Sequence, residues 1–288
     1  MNSRGIDIAI IGGSGLYELD GLANVESVEV DTPFGKPSDS IVTGQLDGVS
    51  VAFLPRHGRG HRLNPTQITV RANIYALKTL GATCLISVSA VGSLREEFEP
   101  LHLAIPDQLI DRTRQRNNTF FDQNLVVHVG FAEPFCPVIS RIILASASDL
   151  SIPVHSTATM VVMEGPAFST KAESHMYRSW GADIVGMTAL PEAKLAREAE
   201  LCYATMAWIT DYDCWHESEE SVTVEMVIQN LMKNIGNSKN MLRKLIPNLV
   251  SGRDFSCNSS LRDTIITSEE WIPEELKEKL APLVSRYM

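Results

Sequence analysis

At 288 residues, with 44% hydrophobic and 21% charged side chains, the chain has enough apolar material for one large domain with a sizeable core. Its formal net charge of −10 argues against a general nucleic-acid binder, although a local cluster of Arg, His and backbone amides can still hold a small anion. No apolar run reaches membrane-spanning length, and the polar segment 1–7 leads only into the short apolar run 8–11, so a cytoplasmic protein without a membrane partner is expected.

The first expected strand is 7–11, entering a glycine loop. Residues 41–54 read as a hairpin turning at Asp47-Gly48. Asn64-Pro65 is expected to open a helix that runs to Leu80 and stops at Gly81. Strands follow at 85–91 and 102–110, a helix at 137–150, and a β-rich stretch at 154–163. A helix over 171–180 ends at Gly181, a short strand spans 184–187, and another helix follows Pro191. A hydrophobic strand-like run covers 202–209. The pattern over 222–246 predicts one long helix, or two broken near Gly236, with Pro247 as its stop. Pro273-Glu274-Glu275 starts a terminal helix, and 251–268 reads as irregular. Alternating strands and helices without a repeat or linker indicate an α/β fold with a largely parallel sheet. The five cysteines, Cys84, Cys136, Cys202, Cys214 and Cys257, are scattered and form no Cys-x-x-Cys pair. Neither a zinc site nor a disulfide framework is suggested. Four of them lie in apolar contexts and read as small buried thiols in a reducing compartment.

Several strand ends carry small hydroxyls or cations and no carboxylate. Gly12-Gly13-Ser14-Gly15 lets the backbone approach an anion, with the Ser14 hydroxyl beside it. It lacks the third glycine of a dinucleotide fingerprint and the Walker lysine. Arg56-His57 closes a second apolar run with a forked donor suited to phosphate. Ser89-Ala90 and Thr188 follow two more. Ligands bind at strand ends in such folds, so these positions point to one oxyanion site.

The other constellation is Asp211-Tyr212-Asp213. In an extended backbone, residues i and i+2 share a side, so the two carboxylates can face one ligand. Like charges this close disfavour double ionisation, so one pKa is expected to rise. A protonated donor beside an ionised acceptor suits the N7/N6 edge of adenine. The alternative is an Asp-rich turn at a strand end. No ligand cluster for a metal is seen.

Long stretches, among them IIGGSGL, DTPFGKPSD, RHGRGH, DQLIDRT, AEPFCP, EGPAFST, WGADIVGMT and TDYDCW, resemble the methylthioadenosine branch of the purine nucleoside phosphorylase family over residues 8–247. The resemblance implies a single α/β domain over 1–250 with a mixed central sheet flanked by helices. The extension 251–288 would pack its terminal helix on that domain or on a neighbouring subunit. It implies reversible phosphorolysis of methylthioadenosine by a homotrimer, with inorganic phosphate as co-substrate and no cofactor. By resemblance, Ser14, Arg56, His57, Ser89, Ala90 and Thr188 hold phosphate, and Met187 packs on the ribose. Phe168, Ser169, Asp211, Tyr212 and Asp213 meet the purine, with Asp211 and Asp213 in the catalytic role. Val224 and Val227 would seat the methylthio group, and His128 would reach a neighbouring subunit's 5′ pocket. Val91 stands where the family pattern leads one to expect Cys. Read singly, Met187, Val224, Val227 and His128 also fit core packing. Three rivals stay open at this level: a phosphorylase for another purine nucleoside, a hydrolase using water, and a non-catalytic nucleotide-binding protein.

Overall fold

The longest contact between strands joins β5 (Cys84–Ser93) to β11 (Cys202–Tyr212), parallel from Cys84↔Cys202 to Ser93↔Tyr212. Both are apolar almost throughout and buried on both faces, as expected of strands covered by helices on either side. The computed structural model describes residues 5–13, 15–216, 224–249 and 256–288, and the side chains of 224–227 and 256 fall outside that description.

The remaining strands are β1 (Ile8–Gly12), β2 (Ala23–Val28), β3 (Ile41–Leu46), β4 (Val49–Pro55), β6 (Leu103–Ala104), β7 (Gln108–Arg112), β8 (Val154–His155), β9 (Thr159–Met163) and β10 (Ile184–Gly186). The main path runs β2-β3-β4-β1-β5-β10-β9-β7, with β11 joining β5 to β6 and β6 to β8. The sheet is mixed: β4, β1, β5 and β11 are mutually parallel, whereas β10 meets β5 antiparallel. The helices are α1 (Val70–Thr79), α2 (Pro137–Asp149), α3 (Lys171–Ser179), α4 (Ala189–Glu198), α5 (Val224–Leu249) and α6 (Glu274–Val284). Helix α6 packs Leu276, Leu280 and Leu283 into the main core, and Tyr75 of α1 donates its hydroxyl to Lys279 O at 2.9 Å.

Three expectations are corrected. The helix at Asn64 starts later, at Val70, because Asn64 Oδ1 accepts the amides of Thr66 and Gln67 and closes a separate turn. The strand over 102–110 is broken into β6 and β7, and Pro106 in the gap has no N–H to give to a ladder. Helix α5 neither breaks at Gly236 nor stops at Pro247, but runs on to Leu249. Its buried face, Met241, Leu242, Leu245, Ile246 and Leu249, packs into one core cluster, and that burial carries the helix past the lost amide.

The topology leaves an opening. On one flank of β5, β1 pairs as far as Ser87 and β10 begins only at Gly92. Between them, Ser89 and Ala90 are paired only to β11. Glycine turns, Arg56 and α4 converge on this gap.

Candidate active site

One side of the gap is lined with hydroxyls. Arg56 follows β4 and gives its amide to Gly12 O at 2.8 Å, which joins the ends of β1 and β4. Ser87, Ser89 and Thr188 form a chain, with Ser87 Oγ and Ser89 Oγ 3.5 Å apart and Ser89 Oγ and Thr188 Oγ1 3.3 Å apart. Thr188 is the N-cap residue of α4. Ala90 is exposed beside them. Ser89 and Thr188 therefore share one wall with Ala90, although Ser89 and Ala90 stand inside β5, which runs on to Ser93, and not at its end as expected. Ser14 lies outside the described residues.

Arg56, expected as a forked donor to phosphate, has most of its fork engaged within the protein. Its side chain is 3% exposed and pairs with Glu192, which is fully buried. Nε bonds Glu192 Oε1, while Nη2 lies 3.1 Å from Glu192 Oε2 and 2.6 Å from Ser87 Oγ. Nη1 gives one of its two hydrogens to Val88 O at 3.0 Å. A guanidinium buried this deeply needs a carboxylate partner. Glu192 supplies it and keeps Arg56 charged, raising its pKa against the desolvation that would lower it. What remains for an anion is the positive field and one Nη1 hydrogen, with Ser87 and Ser89 relaying the polarity outward.

His57 also departs from its expected role as a donor. Burial, and then the neighbouring Arg56 charge, push its imidazole down to about 4. It is neutral near pH 7, and Nδ1 lies 2.8 Å from Leu63 O. The carbonyl can only accept, so Nδ1 carries the proton and Nε2 is an acceptor. His57 thus fits the O–H of a monohydrogen anion rather than a bare oxygen.

The dyad stands about 10 Å along β5 from Ser89, since Gly92 is three residues on and pairs with Asp211. The pairing register skips Thr210, a β-bulge at the strand end. Thr210 Oγ1 lies 2.6 Å from Asp211 Oδ1 and 3.2 Å from Val91 O. Helix α5 braces the bulge: Asn230 Nδ2 donates to Thr210 O at 2.8 Å, and Asn234 Nδ2 donates to Ile209 O at 3.0 Å. Replacing Asn234, which is 2% exposed, by Ala leaves that brace unmade. The expected cost is about 1–3 kcal/mol, read as a lowered denaturation midpoint.

Both aspartate side chains border Gly92: a Cβ there would lie 3.5 Å from Asp211 Oδ2 and 3.6 Å from Asp213 Cβ. Burial, helped by the Asp213 charge, raises the Asp211 carboxyl to about 6 against the Thr210 hydrogen bond. Asp213 is 7% exposed, and its Oδ2 has no hydrogen-bond partner among the described residues. Buried carboxylate oxygens are almost always satisfied, so this one reads as kept for a ligand. Tyr212 points elsewhere, with its hydroxyl on Glu96 O at 3.0 Å and its ring stacked on His216. Alternation along the strand sends the residue between two same-side neighbours to the other face, so Tyr212 frames the dyad without facing its ligand.

Ser169 borders the dyad through its carbonyl, which accepts from the Cys214 thiol at 3.2 Å. Phe168 beside it is 69% exposed. Met187 is half-buried, directly before Thr188, and its carbonyl accepts from Arg116 Nη1 at 2.6 Å. Arg116 also binds Leu190 O and Glu164 O, each at 2.6 Å, and so ties the Met187-Thr188 turn to the loop at Glu164. Gly165 in that loop has φ +66°, and a Cβ there would sit 2.5 Å from Met187 Sδ. Gly165→Ala is expected to cost about 1–2 kcal/mol from its left-handed backbone and to displace Met187. A lowered melting temperature together with a raised nucleoside KM would record both effects.

His128 is exposed, and its amide bonds Thr264 O at 3.0 Å, which places it beside the C-terminal segment. Val224 and Val227 lie in the first turn of α5, and their side chains fall outside the described residues. Sequence reasoning missed Glu192, Arg116, Ser87, Asn230 and Asn234. Only Glu192 left a local trace, as a carboxylate within the apolar run ALPEA.

An anion cradle of hydroxyls over a buried Arg–Glu pair, with an acid dyad a nucleoside's length away, defines a nucleoside-processing site. The chain belongs to the phosphorylase superfamily, whose family model matches residues 7–247. It is 53% identical to the S-methyl-5′-thioadenosine phosphorylase of Geobacter sulfurreducens, over 98% of this chain and 99% of that one. The corresponding enzyme of Chloroflexus aurantiacus is also 53% identical, over 97% and 98% of the two chains. In structure it resembles a methylthioadenosine phosphorylase from an Antarctic soil metagenomic library, with a TM-score of 0.94 and 50% identity over 98% and 99% of the chains. A mutant form of the Schistosoma mansoni adenosine/methylthioadenosine phosphorylase, solved with methylthioadenosine, gives a TM-score of 0.82 at 33% identity over 97% and 98%.

Proposed function

We propose that this chain catalyses the reversible phosphorolysis of S-methyl-5′-thioadenosine to adenine and S-methyl-5-thio-α-D-ribose 1-phosphate. The observation that carries the substrate choice is the buried Asp213 Oδ2, without a hydrogen-bond partner among the described residues, beside a carboxyl raised to about 6. One accepts from an exocyclic 6-amino group, and the other donates to N7. A 6-oxo purine would set an acceptor against Asp213, leaving a buried carboxylate unpaired at considerable cost. The relatives at 53% identity carry the same named activity.

Cleavage of the glycosidic bond leaves positive charge on the ribose and negative charge on the departing purine. Phosphate held by Ser14, Ser89, the Ala90 amide and Thr188, over the Arg56 charge, stands beside C1′. It offsets the oxocarbenium charge and attacks that carbon, so positioning supplies much of the effect. Asp211 gives its proton to N7 as the base leaves. His57 accepts the phosphate hydroxyl through Nε2. Met187 packs on the ribose, and Phe168 and Ser169 cover the base. Val224 and Val227 form an apolar seat for the methylthio group. Such a seat prefers methylthio to hydroxyl by only about 1–3 kcal/mol, so adenosine is expected to be a slower substrate.

The working unit we propose is a cytoplasmic homotrimer without cofactor, in which His128 enters a neighbouring subunit's 5′ pocket. Its exposure supports this reading. No helix among the described residues is long and apolar enough to cross a membrane.

A phosphate-dependent assay across methylthioadenosine, adenosine, methylthioinosine and inosine tests the proposal. The highest kcat/KM is expected for methylthioadenosine, with no turnover when phosphate is omitted. Adenine release without phosphate would make it a hydrolase, and faster cleavage of inosine would refute the dyad's role.

A further inference from the structure

Four of the five cysteines are buried, and three of them meet. Cys136 is the N-cap residue of α2, Cys202 opens β11, and Cys257 lies in the 3-10 turn Ser256–Ser259. Their sulfur atoms all lie within 4.8 Å of one another. The Cys202 thiol also approaches Asn258 Oδ1 at 3.6 Å. All three sulfurs sit in the core cluster formed by β1, β5, β11, α2 and α5. They are remote from the dyad, since Cys202 and Asp211 stand at opposite ends of β11, about 30 Å apart at strand rise.

We propose that Cys136, Cys202, Cys257 and Asn258 Oδ1 form a binding site for one thiophilic d10 cation, with Zn2+ the ion it fits best. The separations that the structure gives are compatible with one ion between these groups. With Zn–S near 2.3 Å and Zn–O near 2.1 Å, ligand sulfurs stand about 3.8 Å apart and a sulfur–oxygen pair about 3.6 Å apart. The observed sulfur–oxygen separation is already 3.6 Å, and the sulfurs need close by no more than about 1 Å. Thiols are weak hydrogen-bond partners, so their mutual contacts give little reason for three distant segments to deliver sulfur to one point. The start of α2 favours a thiolate at Cys136. Three thiols release three protons on binding, and Zn2+ reduces the buried charge from −3 to −1. Asn258, the fourth ligand, lines a surface pocket of about 320 Å3. A filled site would fasten the C-terminal segment to the end of β11 opposite the dyad.

The test uses the full chain, reduced and freed of metal, titrated with Zn2+ against a chromophoric chelator. One tight Zn2+ per chain is expected, with a raised melting temperature and unchanged phosphorolysis. Cys257→Ser should weaken binding by about a hundredfold or more, since even outer-shell changes cost 10–100-fold. Cd2+ added to the wild-type chain should give a thiolate-to-metal charge-transfer band, a readout that survives if the variant misfolds. The proposal falls if no Zn2+ is retained, if the Cd2+ band is absent, or if Cys257→Ser binds as tightly as wild type. A disulfide between two of the three in the native chain, found by mass spectrometry of unreduced peptides, would also overturn it.

Discussion

Asp211→Asn should lower kcat by roughly 10²- to 10⁴-fold, the usual worth of a general acid, with a much smaller change in nucleoside KM. The same substitution should leave the fold as stable or more stable above pH 6. The sign follows from the raised carboxyl. Its ordinary value is 3.8, and in the fold burial takes it to about 6. The folded state therefore holds the proton more tightly than the unfolded chain. Asp211 withdraws stability as pH rises from 3.8 to about 6, and that cost is fully present above 6. Asparagine carries no charge to desolvate, so the variant escapes it. In the wild-type enzyme, kcat/KM should fall as pH rises through about 6, since the acid must carry its proton. Melting curves and rates for both proteins between pH 5 and 8 measure the pair of effects. A variant with nearly wild-type kcat would remove Asp211 from the proton path.

The second large effect concerns Glu192. Glu192→Ala should cost about 3–5 kcal/mol, because it strands the Arg56 guanidinium in a site 3% exposed. Chemical denaturation reads this directly, and a loss below about 1 kcal/mol would mean that water replaces the carboxylate. A paired replacement separates stability from function. Arg56→Met with Glu192→Leu should recover most of the stability, since apolar isosteres often match a buried pair. The phosphate KM should stay raised in that double variant, because the positive field beneath Ser87 and Ser89 is gone. Restoration of both stability and phosphate affinity would show Arg56 to be a packing element alone. The contrast matters because an ion pair this deep is weak evidence for stability in itself, while an anion site has a direct use for its charge.

Much of this was legible in the sequence. The Asp47-Gly48 hairpin, the α2 and α3 spans and the paired carboxylates follow from local rules of turn chemistry, period and alternation. The three misread boundaries differ in cause: two were set by a residue at the boundary itself, and one by packing elsewhere in the fold. Asn64 spent its cap on an isolated turn, Pro106 denied a hydrogen bond to an otherwise good strand, and the buried face of α5 outweighed Pro247.

The residues of the site divide in the same way. Thr188, Asp211 and Asp213 lie at a helix start or a strand end, and Ser89 stands in the open stretch of β5; the chemistry there is carried by residue type and spacing, which sequence alone determined. The inward turn of Arg56, the neutrality of His57, the bulge at Thr210 and the meeting of three cysteines were decided only by the tertiary structure. They depend on desolvation and on partners distant in the chain, such as Glu192 for Arg56 or Asn234 for the bulge. Burial and long-range pairing are properties of the packed fold, and no local pattern encodes them.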